Sequence, residues 1–165
     1  MVLPLSDRSK EFINELLPWQ SHFARIAGYQ MHYLDEGPRD PSAPVVLLLH
    51  GNPTWCFYYR HVIAALKNDF RVIVPDYIGM GLSERPAGRH FRAEDRIDHL
   101  EELVQLLGLK RYSLVMHDCG GPIGTGLAQR DIPAVEKLVY LNTTLTETES
   151  LPGIIKTAAR PVIGR

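Results

Sequence analysis

A single acidic residue, Asp118, lies at a predicted sharp turn between a buried strand and a helix. The apolar stretch 114–116 precedes it, and Gly120 and Gly121 follow it closely. Glycines there leave room for a strained backbone that lifts one side chain above a sheet, next to the start of a helix. A carboxylate in that position can attack an electrophilic carbon and form an ester, which water must then hydrolyse. Asp118 is therefore the candidate catalytic nucleophile.

This turn has two other interpretations. Asp118 could simply cap the following helix, since aspartate is a preferred capping residue. A dinucleotide-binding turn is excluded by spacing, because aligning Gly121 and Gly124 with the last two glycines of G-x-G-x-x-G puts Cys119 where the first glycine is needed. As a nucleophile, Asp118 would stay ionised beside the helix N-terminus, and the backbone N–H of Cys119 would be the natural oxyanion donor.

A second polar cluster, His-Gly-Asn-Pro-Thr-Trp, occupies residues 50–55, directly after the apolar run 45–49. Asn52 offers a backbone N–H and a side-chain amide to an oxyanion or to a leaving halide. Asparagine is also common in ordinary turns, which is the alternative interpretation. Trp55 is a further candidate for the wall of the pocket.

The elements expected to position these residues alternate in type. Strands are predicted at 23–26, 30–34, 45–49, 71–74, 112–116 and 135–141, the last of them buried, and helices at 55–66, about 97–107 and 122–129. This order predicts an α/β fold with a mostly parallel sheet, an N-terminal antiparallel hairpin and helices on both faces. Ligands of such sheets bind beyond the carboxyl ends of the strands, where Asn52 and Asp118 both fall.

The composition of the 165 residues narrows the possible functions. The chain is 45% hydrophobic and 22% charged with a net charge of -1, as is typical of one soluble globular domain. It has no block of like charges and no long apolar segment, so we expect no binding to nucleic acid or membrane and a cytoplasmic location. Its two cysteines lack CxxC spacing, which argues against a disulfide framework and a metal site. We expect a small-molecule substrate, water and no cofactor.

Four motifs, taken in order, resemble those of haloalkane dehalogenases, which have the α/β-hydrolase fold. They are H-Y-L-D-E-G at 32–37, H-G-N-P-T-W at 50–55, P-D-Y-I-G-M-G-L-S-E-R-P at 75–86 and H-D-C-G-G at 117–121. The resemblance implies that Asp118 displaces halide from an alkyl carbon, that Asn52 holds the halide, and that a histidine helps water to hydrolyse the ester. Epoxide hydrolases and the β-lactone decarboxylases of olefin biosynthesis share much of this pattern and are the alternatives.

The chain departs from the dehalogenase pattern in two ways. Cys119 stands where those enzymes have a tryptophan whose indole N–H holds the halide, and a thiol is a weak donor. All seven histidines precede Asp118, whereas the base of the family follows the nucleophile. We expect His117 to face away from the carboxylate and His50 to be structural. Asn142, another candidate for the pocket, stands where one subgroup places its acid, so this chain resembles the subgroups whose acid lies one strand later.

The resemblance also predicts a division of the chain into a lead-in at 1–22, the N-terminal part of the hydrolase core at 23–145, and a linker with the start of a cap domain at 146–165. It implies truncation before the cap domain and the last strands. Strand 135–141 would then be an exposed edge, open to self-association or to a missing C-terminal part. A catalytically inert truncated module is the alternative of another class.

Overall fold

The computed structural model describes residues 15–144, so the predicted linker and cap start at 146–165, and most of the lead-in, lie outside the described residues. Its strands are β1 (Ser21–Ile26), β2 (Tyr29–Glu36), β3 (Val45–Leu49), β4 (Arg71–Pro75), β5 (Tyr112–His117) and β6 (Val135–Leu141). Its α-helices are α1 (Arg60–Leu66), α2 (Ala93–Leu106) and α3 (Gly120–Arg130), and a 3-10 turn at Cys56–Tyr59 precedes α1. Every predicted strand and helix overlaps one of these elements, and their order is as predicted.

The strands form one six-stranded sheet in the order β1-β2-β4-β3-β5-β6. Strand β2 pairs antiparallel with both β1 and β4, whereas β4, β3, β5 and β6 run parallel to one another. The mostly parallel sheet with an N-terminal antiparallel hairpin is thereby confirmed. Because parallel strands end at the same edge of a sheet, the residues that follow β3, β4 and β5 share one rim.

Apolar side chains cover both faces of this sheet, because successive residues of a strand point to opposite sides. Leu47 and Leu49 of β3 belong to a core that they share with side chains of α2 and α3. Val46 and Leu48 belong to a second core on the other face, with residues of the 3-10 turn and α1. Helices therefore lie on both faces, as the sequence predicted. Within residues 15–144, no helix has the length and apolar character needed to span a membrane.

The buried carboxylate of Asp76 connects the hairpin to the loops that follow β3 and β4. The imidazole of His32 lies 2.9 Å from one carboxylate oxygen, to which the Leu82 N–H also donates at 2.9 Å. The Cys56 N–H donates to the other oxygen at 2.7 Å. Burial pushes the pKa of Asp76 upward, but His32 and the two N–H groups outweigh it and hold the pKa below its ordinary value. The carboxylate thus stays ionised inside the protein.

Strand β6 is exposed at the edge of the sheet. Its apolar run by itself indicates a buried strand, whereas the truncation implied by the resemblance predicts an exposed edge. Leu138 and Val139 are each 42% exposed. Among the described elements β6 pairs only with β5, and of its side chains Val135 and Tyr140 pack against the core. Among the described residues the exposure follows the predicted edge strand and not the apolar run alone, because an apolar run shows only that a strand can be buried, while its neighbours decide whether it is.

Candidate active site

Asp118 occupies a strained turn between β5 and α3. Its φ angle is 52°, in the left-handed region that residues other than glycine seldom adopt. The chain approaches itself so closely here that a Cβ on Gly120 would collide with the carbonyl oxygens of Leu49 and His50. A Cβ on Gly51 would collide with the Asp118 side chain itself. The turn at Asp118, called the elbow below, therefore packs directly against the end of β3. Only glycine leaves room for this close approach at positions 51 and 120.

Backbone groups hold the Asp118 carboxylate in its ionised form. The Asn52 N–H donates to Oδ1 at 2.9 Å. Burial raises the pKa of Asp118, but the Asn52 N–H, followed by the N–H and the thiol of Cys119, outweighs burial and keeps the pKa below its ordinary value. The sequence predicted that Asn52 and Asp118 would share a rim, and the structure brings them into direct contact. The carboxylate therefore has the protonation state that a nucleophile requires.

Two nearby histidines are engaged elsewhere. His50 lies within hydrogen-bond distance of the Gly51 carbonyl through Nδ1, at 2.8 Å, and its Nε2 accepts the Tyr77 N–H at 3.4 Å. Burial lowers the pKa of His50, which favours the neutral ring. His117 stacks on Tyr58 with ring centroids 4.3 Å apart. No histidine nitrogen within residues 15–144 forms a hydrogen bond with the Asp118 carboxylate.

Cys119 is a free, partly buried thiol directly after the nucleophile. Burial, together with the charge of Asp118, raises its pKa to about 12. The thiol therefore stays protonated near neutral pH and acts as a weak donor toward the carboxylate. This donor is much smaller than the tryptophan expected from the dehalogenase pattern.

The structure also places the two other candidates for the pocket, and it adds Thr143, which the sequence did not indicate. Trp55 is half-buried and stacks on Phe57 at 5.7 Å. Asn142 is exposed at the end of β6, with φ at 47°. The Thr143 hydroxyl forms a short hydrogen bond to the backbone carbonyl of Asp118 and so steadies the elbow from the neighbouring strand. Only the pairing of β5 with β6 brings this threonine into place, so the sequence offered no signal for it.

Two further polar residues near the elbow also escaped the sequence analysis. Tyr77 follows β4 and its ring packs on His50 with centroids 4.5 Å apart. Arg96 of α2 places its guanidinium carbon 5.1 Å from the Tyr77 ring centroid. A basic residue beside the apolar stripe of α2 was the available signal for Arg96.

One group of buried residues has the spacing of a metal site. Ligand atoms of His32, Cys56 and Asp76 all lie within 4.8 Å of one another. The Asp76 oxygens already accept hydrogen bonds from the protein, and burial raises the pKa of Cys56 far above its ordinary value, which disfavours the thiolate that a metal requires. These residues therefore fit a structural network better than a metal.

A surface cleft of about 270 Å³ lies away from this chemistry. It is lined by residues of α2 and α3 and by Gly108, Leu109 and Ala134, which precede β5 and β6. These positions are at the amino ends of the strands, opposite the rim that carries Asp118. The active rim itself consists of the loops after β3, β4 and β5.

Comparison with known proteins agrees with this geometry. A family described as alpha/beta hydrolase fold matches residues 44–158. The chain is 43% identical over 146 residues to a cis-3-alkyl-4-alkyloxetan-2-one decarboxylase of Shewanella oneidensis, which covers 85% of this chain and 45% of that protein. It is 39% identical over 137 residues to haloalkane dehalogenase 2 of Mycobacterium tuberculosis, covering 83% of this chain and 46% of that protein.

A solved structure shows the same likeness in three dimensions. The epoxide hydrolase CorEH without ligand superposes with a TM-score of 0.71 at 33% identity, over 85% of this chain and 49% of that one. The chain thus spans a little under half the length of these relatives. On the sheet topology, the elbow and these matches together, the chain belongs to the α/β-hydrolase fold family.

Proposed function

We propose that this chain carries the nucleophile of a hydrolase that works through a covalent ester on Asp118. The observation that carries the proposal is the position of Asp118, at a φ of 52° with its carboxylate 2.9 Å from the Asn52 N–H. A residue held in a strained conformation by its surroundings points to a functional role. A plain helix cap would not require this left-handed turn.

The proposed step forms one bond and breaks another. A carboxylate oxygen of Asp118 attacks an electrophilic carbon of a small organic molecule, and the electron pair of the breaking bond leaves with a halide or with a ring oxygen. Water then hydrolyses the ester at the Asp118 carbonyl carbon, where the Cys119 N–H is the candidate donor to the developing oxyanion. That second step needs a base, and no histidine follows Asp118 in these 165 residues.

Two classes of electrophile are candidates. Carbon–halogen cleavage is supported by the likeness to haloalkane dehalogenase 2 and by the exposed Asn52, whose side-chain amide is free to hold a halide in addition to its backbone contact. Opening of a strained ring is supported by Cys119, because the thiol lacks the indole N–H that holds a leaving halide in the dehalogenase pattern, and relief of ring strain helps the bond to break. The relatives named as oxetanone decarboxylase and epoxide hydrolase point the same way.

The test is intact-mass spectrometry of the chain after incubation with 1-bromobutane, 1,2-epoxybutane or a cis-3,4-dialkyl β-lactone. A bromoalkane adds only its alkyl group, whereas either ring adds its whole mass, so the increment identifies the reaction. Because this chain lacks a histidine after residue 118, we expect the ester to accumulate. Peptide mapping should place it on Asp118, and hydroxylamine should remove it, which separates an ester from alkylated cysteine.

The control pair is Asp118→Asn and Asp69→Asn, the latter on an exposed turn. Asparagine tolerates a positive φ, so Asp118→Asn should keep the elbow while abolishing the adduct. Asp69→Asn should leave the adduct unchanged. A chain that forms no ester with any of the three electrophiles would instead be a catalytically inert module.

A further inference from the structure

Two donors remain unpaired beside the elbow. Tyr77 is only 1% exposed, yet its hydroxyl has no hydrogen-bond partner among residues 15–144. The Nη1 atom of Arg96 is likewise buried and unpaired within that part of the chain. Buried polar groups are nearly always satisfied, and each exception requires an explanation. Of the four such atoms among residues 15–144, two occur on residues that touch each other.

These donors lie together and next to the active rim. The Arg96 guanidinium carbon is 5.1 Å from the Tyr77 ring centroid. The same ring packs 4.5 Å from His50, which immediately precedes the Gly51–Asn52 segment that contacts Asp118. Burial raises the pKa of Tyr77, and Cys119 and Asp118 raise it further, as expected for neighbouring groups that are negative when ionised. The unpaired donors therefore lie close to the loops that carry Asn52 and Asp118.

The chemistry of this pair favours an anion. Arg96 carries a positive charge and offers planar N–H donors, which match the two oxygens of a carboxylate better than they match a spherical halide. The Tyr77 hydroxyl supplies one more donor. Neither donor forms a hydrogen bond with the Asp118 carboxylate among residues 15–144, so both are available to a bound anion.

We propose that Tyr77 and Arg96 form a carboxylate-binding subsite next to Asp118. The inference rests on the proposed function insofar as it assigns this carboxylate to a substrate or product of the Asp118 reaction. The negative charge of Asp118 opposes binding while the nucleophile is free. Esterification removes that charge, so the subsite holds an anion most strongly once the covalent ester has formed.

The test is isothermal titration calorimetry of the full chain with sodium acetate, and with acetamide as an uncharged probe of nearly the same shape. Asp118→Asn mimics the loss of charge on esterification and should bind acetate several-fold more tightly than the parent chain. In that background, Tyr77→Phe removes one donor to a charged group and should weaken acetate binding about tenfold or more. Arg96→Gln should weaken it at least as much.

The controls separate binding from folding. Tyr77→Phe keeps the ring that packs on His50 and Arg96, so its circular dichroism spectrum should match that of the parent. Tyr29→Phe removes a hydroxyl from a tyrosine that packs on Phe91 in the hairpin region and should not change acetate affinity. Acetamide binding should be weak in every variant and unaffected by Arg96→Gln.

Three outcomes would overturn the subsite. The first is equal affinity for acetate and acetamide. The second is acetate binding that Tyr77→Phe and Arg96→Gln leave unchanged. The third is bromide binding with the affinity of acetate and with the same dependence on Tyr77 and Arg96. Ester formation on Asp118 is scored separately by mass spectrometry. Arg96-dependent acetate binding without any ester would reject the proposed function and retain the subsite, whereas an ester without such binding would do the reverse.

Discussion

The ionised state of the Asp118 carboxylate comes from backbone donors. Its carboxylate is partly buried, which by itself favours protonation, and the N–H groups of Asn52 and Cys119 reverse that preference. Backbone donors cannot be removed by an ordinary side-chain substitution. Asn52→Ala should therefore preserve the ionised carboxylate. In the parent chain, the Asn52 side chain is left available to hold a leaving group.

The pH dependence of ester formation follows from this lowered pKa. The reactive form is the carboxylate, which is present above the pKa of the folded protein and lost as the pH falls through it. The rate of ester formation with 1,2-epoxybutane should thus stay constant from pH 7 to about 5, because even an ordinary aspartate titrates near 4. Intact-mass kinetics at each pH provide the measurement. A rate that halves between about pH 5 and 6 would show that burial dominates.

Cys119 offers only a weak donor at the position where a dehalogenase of this kind would hold its leaving halide. Cys119→Trp introduces an indole N–H donor next to the nucleophile and should strengthen bromide binding about tenfold. Bromide titration followed by calorimetry measures the gain. Cys119→Phe is the matched control, because it adds comparable bulk without the donor. Equal bromide affinity in the two variants would argue against a dehalogenase lineage.

At the scale of elements, the site depends on the short distance between the first residue of α3 and the end of β3. A Cβ on Gly120 would lie 3.0 Å from the His50 carbonyl oxygen and closer still to that of Leu49. Both are backbone atoms that cannot rotate away. This contact couples the elbow to the loop that carries Asn52, so the two cannot shift independently.

Gly120→Ala should destabilise the chain by about 1–3 kcal/mol, the usual cost of overpacking, and should slow ester formation as the elbow moves away from Asn52. Thermal unfolding and adduct kinetics measure the two effects. Gly88→Ala is the control, since a Cβ there meets nothing within 4 Å, although its φ of 69° carries a conformational cost. It should leave adduct formation unchanged, and a Gly120→Ala chain with normal adduct kinetics would refute the coupling.

At the scale of the whole molecule, strand β6 has one edge with which no strand of residues 15–144 pairs. Leu138, Val139 and Leu141 are 42%, 42% and 38% exposed, and such a strand is a template for pairing with another chain. We expect the 165-residue chain to self-associate through β6. A C-terminal part of a longer protein would occupy the same edge, since the chain spans a little under half the length of the relatives it matches.

Val139→Lys should reduce self-association, because a charge on an edge strand opposes strand pairing. Sedimentation velocity at several protein concentrations measures the change. Leu106→Lys is the control, since Leu106 is 61% exposed on α2, away from the edge. A parent chain that sediments as a monomer with a cooperative thermal transition would exclude association through β6.

The sequence by itself determined the order of elements, the mixed sheet and the elbow at Asp118. These features rest on local patterns, namely the period of apolar residues and the glycines at a turn, which can be recognised in the sequence. The ordered motifs also made the family recognisable. The apolar run of β6 alone could not reveal that this strand is exposed, because exposure depends on which element lies beside a strand; only the resemblance implied an exposed edge.

Only the tertiary structure decided what surrounds Asp118. Asn52 acts on it through a backbone N–H, and Thr143 binds its carbonyl. Tyr77 and Arg96 present nearby donors that nothing in residues 15–144 pairs with. These residues are far apart in sequence and meet because parallel strands end at one rim. A pKa is likewise a property of that assembled environment: burial and backbone donors oppose each other at Asp118, and the balance exists only after the chain has folded.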